Sequence, residues 1–401
     1  MTLRPAAALS LALLAGCLGT DRIEHAGGVG WEGGADYYRR WSAGPPADPS
    51  YFPLGVWLQS PFNAPLFKAI GINSFIGLWM GPTDKQLDEL KTAGMTTVCR
   101  ANPTALARLA DAPMIAWQGN DQPDDAQALP AGGYGACLDT DVVLANYQDI
   151  VAKDSTHPVF LAFGQGVAVD RWYGRGPCTG RLDQYPRYIR GGDILAFHVY
   201  PVNSIDPMVD AKLWLVATGV DHVRAYSGYR KPVWAFIEAV PIDDPARRPT
   251  SAQVKSEVWM ALIHGALGII YFSHVFKPKF SETGILDDPA MKAAVRDMNQ
   301  EITSLAPVLN TAPLPTDGVV RTSNLSVPVD VMLKRQGDAT YLFAVAMRDG
   351  VTTATFAVPG LPPSAVAEPL GEKRKLPVQG GAFQDEFTGY GLHLYKITAA
   401  P

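Results

Sequence analysis

The sequence predicts an α/β fold: a (β/α)8 TIM barrel followed by a small C-terminal antiparallel β-sandwich. Between about Phe52 and Leu309, eight short β-rich apolar runs alternate with amphipathic helical stretches, the pattern of parallel strands joined by crossover helices. Beyond Leu309 the texture changes to Pro, Thr and Val, with period-two runs and turn pairs such as Asp349-Gly350 and Gly380-Gly381. The 401 residues, 47% hydrophobic and 18% charged, are enough for one barrel plus a smaller module.

Taken in order, the expected barrel strands are Leu54–Gln59, Ser74–Trp79, Thr96–Asn102, Met114–Gln118, Val159–Phe163, Ile194–Tyr200, Val233–Ile237 and Gly268–Ser273. Among the helices between them, the stretch from Asp84 is stopped by Gly94, and Val254–Ala266 carries apolar residues on one face. A count of eight favours a closed barrel over an open sheet, with the barrel at 51–311 and the β module at 312–401. The module's strands include Val329–Lys334, Ala339–Met347, Thr353–Val358 and Leu392–Ile397, and no chemistry is evident in it.

Composition excludes several functions. A formal net charge of −5 with Lys and Arg scattered along the chain leaves no basic stripe, so nucleic acid is not an expected partner. No Cys/His spacing suits a metal, and no cofactor is required. Gly164-Gln165-Gly166 lacks the Lys-Ser/Thr of a phosphate loop and reads as a strand end where a ligand meets the backbone.

The N-terminus reads as a targeting segment: Arg4, an apolar run from Ala6 to Ala15 too short to span a bilayer, then small residues. Leu14-Ala15-Gly16-Cys17 resembles the lipobox at which bacterial lipoproteins are cleaved and acylated on the Cys. That implies a signal peptide over 1–17, a flexible tether over 18–50, and a monomer held at the cell envelope by lipid on Cys17. With Cys17 so used, Cys137 and Cys178 lie in Gly-rich loops where they can pair, whereas Cys99 reads as a buried small hydrophobe.

In a barrel of this kind the site lies at the C-terminal ends of the strands. Those ends carry Trp57, Trp79, Arg100 and Asn102, then Trp117 with Asp121-Gln122-Pro123-Asp124, then Gln165, His198, Tyr200, Glu238, Tyr271 and His274. Trp and Tyr faces stack on sugar rings, while amides, Arg and His bond hydroxyls, so carbohydrate is the expected partner. Glu238 directly follows the apolar run Pro232–Ile237, where a carboxylate at the barrel mouth can attack an anomeric carbon. His198 and Tyr200, two apart, share a side and would flank it. His264, on an apolar helix face, reads as structural. The loop 170–176 reads either as a cleft wall or as a solvated loop.

This arrangement, from about Phe52 to Leu309, resembles the clan of (β/α)8 glycoside hydrolases with an acid/base Glu after strand four and a nucleophile Glu at the end of strand seven. More narrowly, Phe52–Trp57, Asp121–Asp124 and Glu257–Ala266 with Gly268–Tyr271 resemble a group of largely uncharacterised secreted barrels in which the strand-four motif is usually Asp-Glu-Pro-Asp. The resemblance implies a retaining glycoside hydrolase with Glu238 as nucleophile. It departs at the acid/base position, where Gln122 cannot shuttle a proton. Three readings follow: Asp121 or Asp124 supplies the proton, an activated substrate needs no acid, or the position has been changed, naturally or by engineering, to leave a glycan binder or a trapped enzyme.

Overall fold

The computed structural model describes residues 30–111, 113–171, 178, 180–362 and 364–400. The Leu14–Cys17 stretch expected to be a lipobox, and residues 172–176 of the loop read as a cleft wall or a solvated loop, lie outside them.

Eight parallel strands close into a barrel in sequence order. They are β1 Leu54–Trp57, β2 Ser74–Ile76, β3 Thr96–Cys99, β4 Met114–Asp121, β5 Val159–Phe163, β6 Ile194–His198, β7 Val233–Glu238 and β8 Gly268–Phe272. Closure is made by β8 on β1, with Leu54, Gly55 and Val56 opposite Ile269, Ile270 and Tyr271. Inside, Ile76, Val98, Ala116, Phe160, Ala196, Trp234, Phe236 and Ile270 fill the lumen. On the outer faces Phe75, Cys99, Trp117, Leu161, Phe197, Ile237 and Tyr271 pack under the helices. Both faces are therefore buried, which is why the strands read as continuous apolar runs.

The helices begin and end where local chemistry predicts. Thr83 caps helix Asp84–Ala93 in a reciprocal pair with Gln86, and Gly94, at φ 62, stops it in the left-handed region where a side chain is disfavoured. Thr250 and Gln253 form the same capping box on helix Ser251–Ile263. The last barrel helix, Pro289–Leu309, ends at the expected residue. Among the described residues no helix is long and apolar enough to cross a membrane.

The expectation of a flexible tether over 18–50 is corrected for its described part. Residues Gly34–Arg40 form a 3-10 helix whose Tyr37 and Tyr38 are buried in the same cluster as the barrel lumen. Tyr38 Oη accepts from the Trp234 indole N–H at 3.0 Å, and Glu32 pairs with Arg224 at 2.7 Å. Two aromatic side chains outweigh the Gly and Ala around them, so the segment plugs the lumen instead of spanning solvent.

The C-terminal module is one hydrogen-bonded antiparallel sheet of eight strands, in the order β10-β11-β16-β13-β14-β15-β12-β9. They are β9 Val320–Thr322, β10 Val329–Gln336, β11 Ala339–Ala346, β12 Val351–Ala357, β13 Ser364–Pro369, β14 Leu376–Gln379, β15 Ala382–Thr388 and β16 Leu392–Ala399. The sheet turns through the Gly380-Gly381 hairpin, where β14 and β15 share one pair. Its two halves then enclose a common core of Leu342, Phe356, Phe383, Phe387 and Tyr395. The module seats on the barrel through Phe343, Val345, Met347 and Leu394. His264 is held there between Asp221 at 2.9 Å and Asp330 at 3.2 Å. Burial opposes its charge, but the two carboxylates push its pKa up to about 10, so it is an imidazolium that ties barrel to module. Its structural reading stands.

Candidate active site

The C-terminal ends of the strands converge on a narrow cleft of about 70 Å³ lined by Trp57, Asp121, Gln122, Ala162, His198, Tyr200, Phe236 and Phe272. The strand pleat brings these aromatics together. Trp57 meets the edge of Phe236 at 5.4 Å, His198 stacks on Tyr200 at 5.0 Å, and Tyr200 meets Phe272 at 5.3 Å. From Phe272 the aromatic run continues outward through His274 to Phe276 and Phe280 on the loop after β8. Trp79, 65% exposed, stands on the loop after β2.

Strand β4 continues three residues past its apolar run, with a register shift between Gln118 and Asp121. That irregularity delivers Asp121 to the cleft as an exposed carboxylate and turns the chain so that Gln122 sits at φ 47. The Gln122 N–H donates to Ala162 O, and its carbonyl accepts from Asp125 N and the Gln127 side chain. Asp124 turns inward, accepting from Gly164 N and Tyr185 Oη, each at 2.9 Å. Burial raises its pKa to about 7, and it has no surface on the cleft. A Cβ at Gly164 would lie 2.9 Å from Asp125 Oδ2, so a larger residue there would displace that carboxylate. Of the two carboxylates weighed as proton donors, the fold thus presents Asp121.

Glu238, at the end of β7, is fully buried and does not line the cleft. Its carboxylate accepts from the backbone N–H of Val202 at 2.6 Å and of Asn203 at 2.9 Å, and from Asn203 Nδ2 at 2.5 Å. Asn203 also donates to Val240 O and accepts from Ile242 N, so Glu238 and Asn203 together clasp the loops that follow β6 and β7. The acid against Glu238 is Glu257, buried on helix Ser251–Ile263. Burial pushes the Glu238 pKa up to about 7 against the pull of its donors. Tyr200 senses both sides: burial, then Glu238, then Asp121, raise its phenol well above the usual range. The clasp residue Asn203 and the partner Glu257 were not singled out for these roles from the sequence; Glu257 sat inside a quoted motif and carried no local signal.

Several expected ligands are corrected to structural roles. Trp117 faces outward, its indole N–H donating to Asp154 at 2.8 Å and its ring against His157 at 4.9 Å. Tyr271 is also on the outer face, its hydroxyl donating to Asn299 at 2.9 Å. Asn102 caps helix Pro103–Leu106 and donates to Pro82 O. His274 is buried, its Nε2 on Leu58 O. Trp117 and Tyr271 fall on the other face of their strands, Asn102 completes a turn, and His274 is tied to the backbone after β1 beside Phe272. Arg100 is exposed at the end of β3, and Gln165 opens the 3-10 turn Gln165–Ala168 after β5. Cys137 and Cys178 form a disulfide that ties the loops after β4 and β5, and Cys99 is free and buried. No group of His, Cys, Asp and Glu among the described residues could hold a metal ion.

A larger groove of about 510 Å³ lies aside, between the loops after β6 and β7, lined by Val202, Asp210, Asp244, Arg247, Arg248 and Gln253. It has no aromatic wall, and Arg247 and Arg248 are engaged by Asp210 and Asp288. Size alone favours this groove, but the strand-end aromatics and Asp121 meet at the smaller cleft, which is the better candidate.

Fold and site together define a (β/α)8 barrel with an aromatic, acid-bearing cleft at its C-terminal face. No protein-family model matches the chain, and no curated protein matches it in sequence. Among solved structures, AmyP in complex with maltose is similar in fold, with a TM-score of 0.50 at 8% identity over 88% of this chain and 98% of that one. A maltogenic α-amylase, AmyB from Thermotoga neapolitana, aligns with a TM-score of 0.46 at 9% identity, covering 88% of this chain and 99% of that one. The glycoside hydrolase family 30 subfamily 8 xylanase Xyn30A from Clostridium acetobutylicum aligns with a TM-score of 0.44 at 13% identity, covering 87% and 96%. At such identities the likeness to AmyP establishes the architecture, a barrel with a C-terminal β module, and nothing finer.

Proposed function

We propose that the protein is a carbohydrate-active barrel that hydrolyses a glycosidic bond at the β1–β8 mouth. The observation that carries this reading is the meeting of Trp57, Tyr200, Phe272 and His198 with the exposed residue Asp121 and with Gln122. Apolar ring faces beside hydroxyl-bonding groups are what a pyranose requires. The cavity of about 70 Å³ is smaller than a typical ligand pocket of roughly 300 Å³ or more, so it holds one edge of a sugar while the remainder of a glycan lies toward Trp79. Asp121 is the proposed proton donor; the nucleophile role of Glu238 requires its clasp to open. Acylation at Cys17 would hold this cleft at a membrane surface of the cell envelope.

A second reading, glycan binding without turnover, is favoured by two observations. Glu238 is enclosed with donors on both oxygens, and Gln122 stands where an acid would serve. Turnover of a panel of aryl glycosides and natural glycans by the wild type and its Asp121→Asn, Gln122→Glu and Glu238→Gln variants separates the two. Loss of general acid catalysis costs about 10² to 10⁴ in rate, so Asp121→Asn should fall by that factor on poor leaving groups. Activity lost with Asp121→Asn and Glu238→Gln supports hydrolysis. No turnover by any of the four proteins, with glycan affinity retained, establishes a binder.

A further inference from the structure

Glu238 and Glu257 meet carboxyl to carboxyl in the interior, and neither has any exposed surface. Glu257 comes from the middle of helix Ser251–Ile263, which is buried on every side from Ser256 to Ile263. Neither of its oxygens is bonded by an N–H or a neutral hydroxyl among the described residues. Two carboxylates in contact within a medium of low dielectric cannot both be ionised, so this pair holds a proton. The surrounding donors decide which partner keeps it. Glu238 receives three N–H groups from Val202 and Asn203, and Glu257 receives none. Negative charge belongs where the donors are.

We infer that Glu257 is a carboxylic acid in the folded protein, that its O–H is the fourth donor to the Glu238 carboxylate, and that Glu257 is the positioning residue for the loop clasp. Through Glu238 the shared proton holds Val202 and Asn203, and through Asn203 it holds Val240 and Ile242. The other ionisable groups that face the pair do not replace it. Tyr200 at the end of β6 and Tyr390 before β16 are neutral phenols whose pKa values are raised, burial being the first cause in each. Arg247 is committed to Asp210 and to the carbonyls of Val202 and Ser204. Burial and the Glu238 charge both act to keep the Glu257 proton in place. At a pH high enough to remove it, a second negative charge arises against Glu238 and the clasp opens. The inference does not rest on turnover, because the same clasp shapes a cleft that only binds.

Infrared spectroscopy of the full chain in H₂O and D₂O tests this directly. At about pH 9, where Asp124 and Glu238, with pKa values of about 7, are ionised, a protonated-carboxyl stretch is expected in the wild type, absent in Glu257→Gln and present in Glu238→Gln. Glu257→Gln retains a neutral donor of the same shape, so the amides of Val202, Asn203 and Ile242 should keep wild-type hydrogen-exchange protection, while Glu257→Ala loses it by tenfold or more. In the wild type that protection should also fall at still higher pH, where the carboxyl band is lost, and in Glu257→Gln it should not. If Glu257→Ala fails to fold, the infrared assignment and the Glu257→Gln pH profile decide. A carboxyl band that survives Glu257→Gln at that pH, or Glu257→Gln protection as low as that of the alanine variant, overturns the inference. Glycan turnover by any variant does not bear on it, which keeps its failure separate from that of the hydrolase reading.

Discussion

Asn203→Ala is the perturbation whose cost can be worked most fully from the structure. The side chain makes three hydrogen bonds: Nδ2 to Glu238 at 2.5 Å, Nδ2 to Val240 O at 3.0 Å, and Oδ1 from Ile242 N at 2.7 Å. A bond to a charged acceptor contributes about 1.5–3 kcal/mol and a neutral one about 0.5–1.5 kcal/mol, so the gross loss is roughly 2.5–6 kcal/mol. Asn203 is half-buried, and water can reach some of the orphaned groups, which brings the expected loss to about 3 kcal/mol. The damage should be local, because the clasp joins two loops and supports no core strand. Hydrogen exchange read on peptides containing Val202 and Ile242 should show protection falling by roughly a hundredfold, with β5 unchanged. Asn203→Asp should be worse, since it sets a third carboxylate beside Glu238 and Glu257. Protection within threefold of wild type in Asn203→Ala would refute the clasp.

Trp57→Ala should weaken glycan affinity about tenfold, since it removes roughly 1–2 kcal/mol of apolar contact at the cleft, whereas Tyr271→Phe should leave affinity unchanged and cost about 1 kcal/mol of stability through Asn299; titration calorimetry with chemical denaturation distinguishes them. Replacing Cys137 and Cys178 by Ser opens a link across a sequence separation of 41 and should lower stability by roughly 3–4 kcal/mol, read as a drop in Tm. Asp124 has a folded pKa raised to about 7, so it binds its proton more tightly folded than unfolded. Its contribution is fully present below the ordinary carboxylate range and is lost as pH rises through about 7; Tm should therefore fall from pH 5 to 7, less steeply in Asp124→Asn.

The barrel was legible because each strand is a short apolar run bounded by turn residues, and β5 runs over Val159–Phe163 in both sequence and structure. β4 was read three residues short, since Gly119, Asn120 and Asp121 look like loop yet extend the ladder beside β5. The facing of aromatics was not legible. In a strand buried on both sides polarity does not alternate, so Trp117 and Tyr271 looked like cleft residues while packing under helices. Adjacency held a clue: Phe272 faces the cleft, so its neighbour Tyr271 cannot. The Glu238–Glu257 contact carried no signal because it depends on how a helix docks. Tyr37 and Tyr38 were overlooked because a Gly- and Ala-rich context dominates any reading by composition.

The two positions at which the resemblance places catalytic carboxylates have changed in different ways, and the difference bears on what the cleft can do. At Gln122 the carboxyl itself is gone, but the adjacent bulge keeps Asp121 exposed, so a carboxyl group lines the cleft without any rearrangement. At Glu238 the carboxyl is present but taken up by Val202, Asn203 and Glu257. Attack on an anomeric carbon needs an oxygen facing the substrate, so catalysis through Glu238 requires the clasp to open, whereas binding requires nothing to move. Loosening the clasp therefore has opposite consequences under the two readings. If Glu238 is the nucleophile and clasp opening limits the rate, Asn203→Ala raises kcat on activated aryl glycosides while KM worsens. If the cleft only binds, the same variant weakens glycan affinity and no turnover emerges at any substrate concentration.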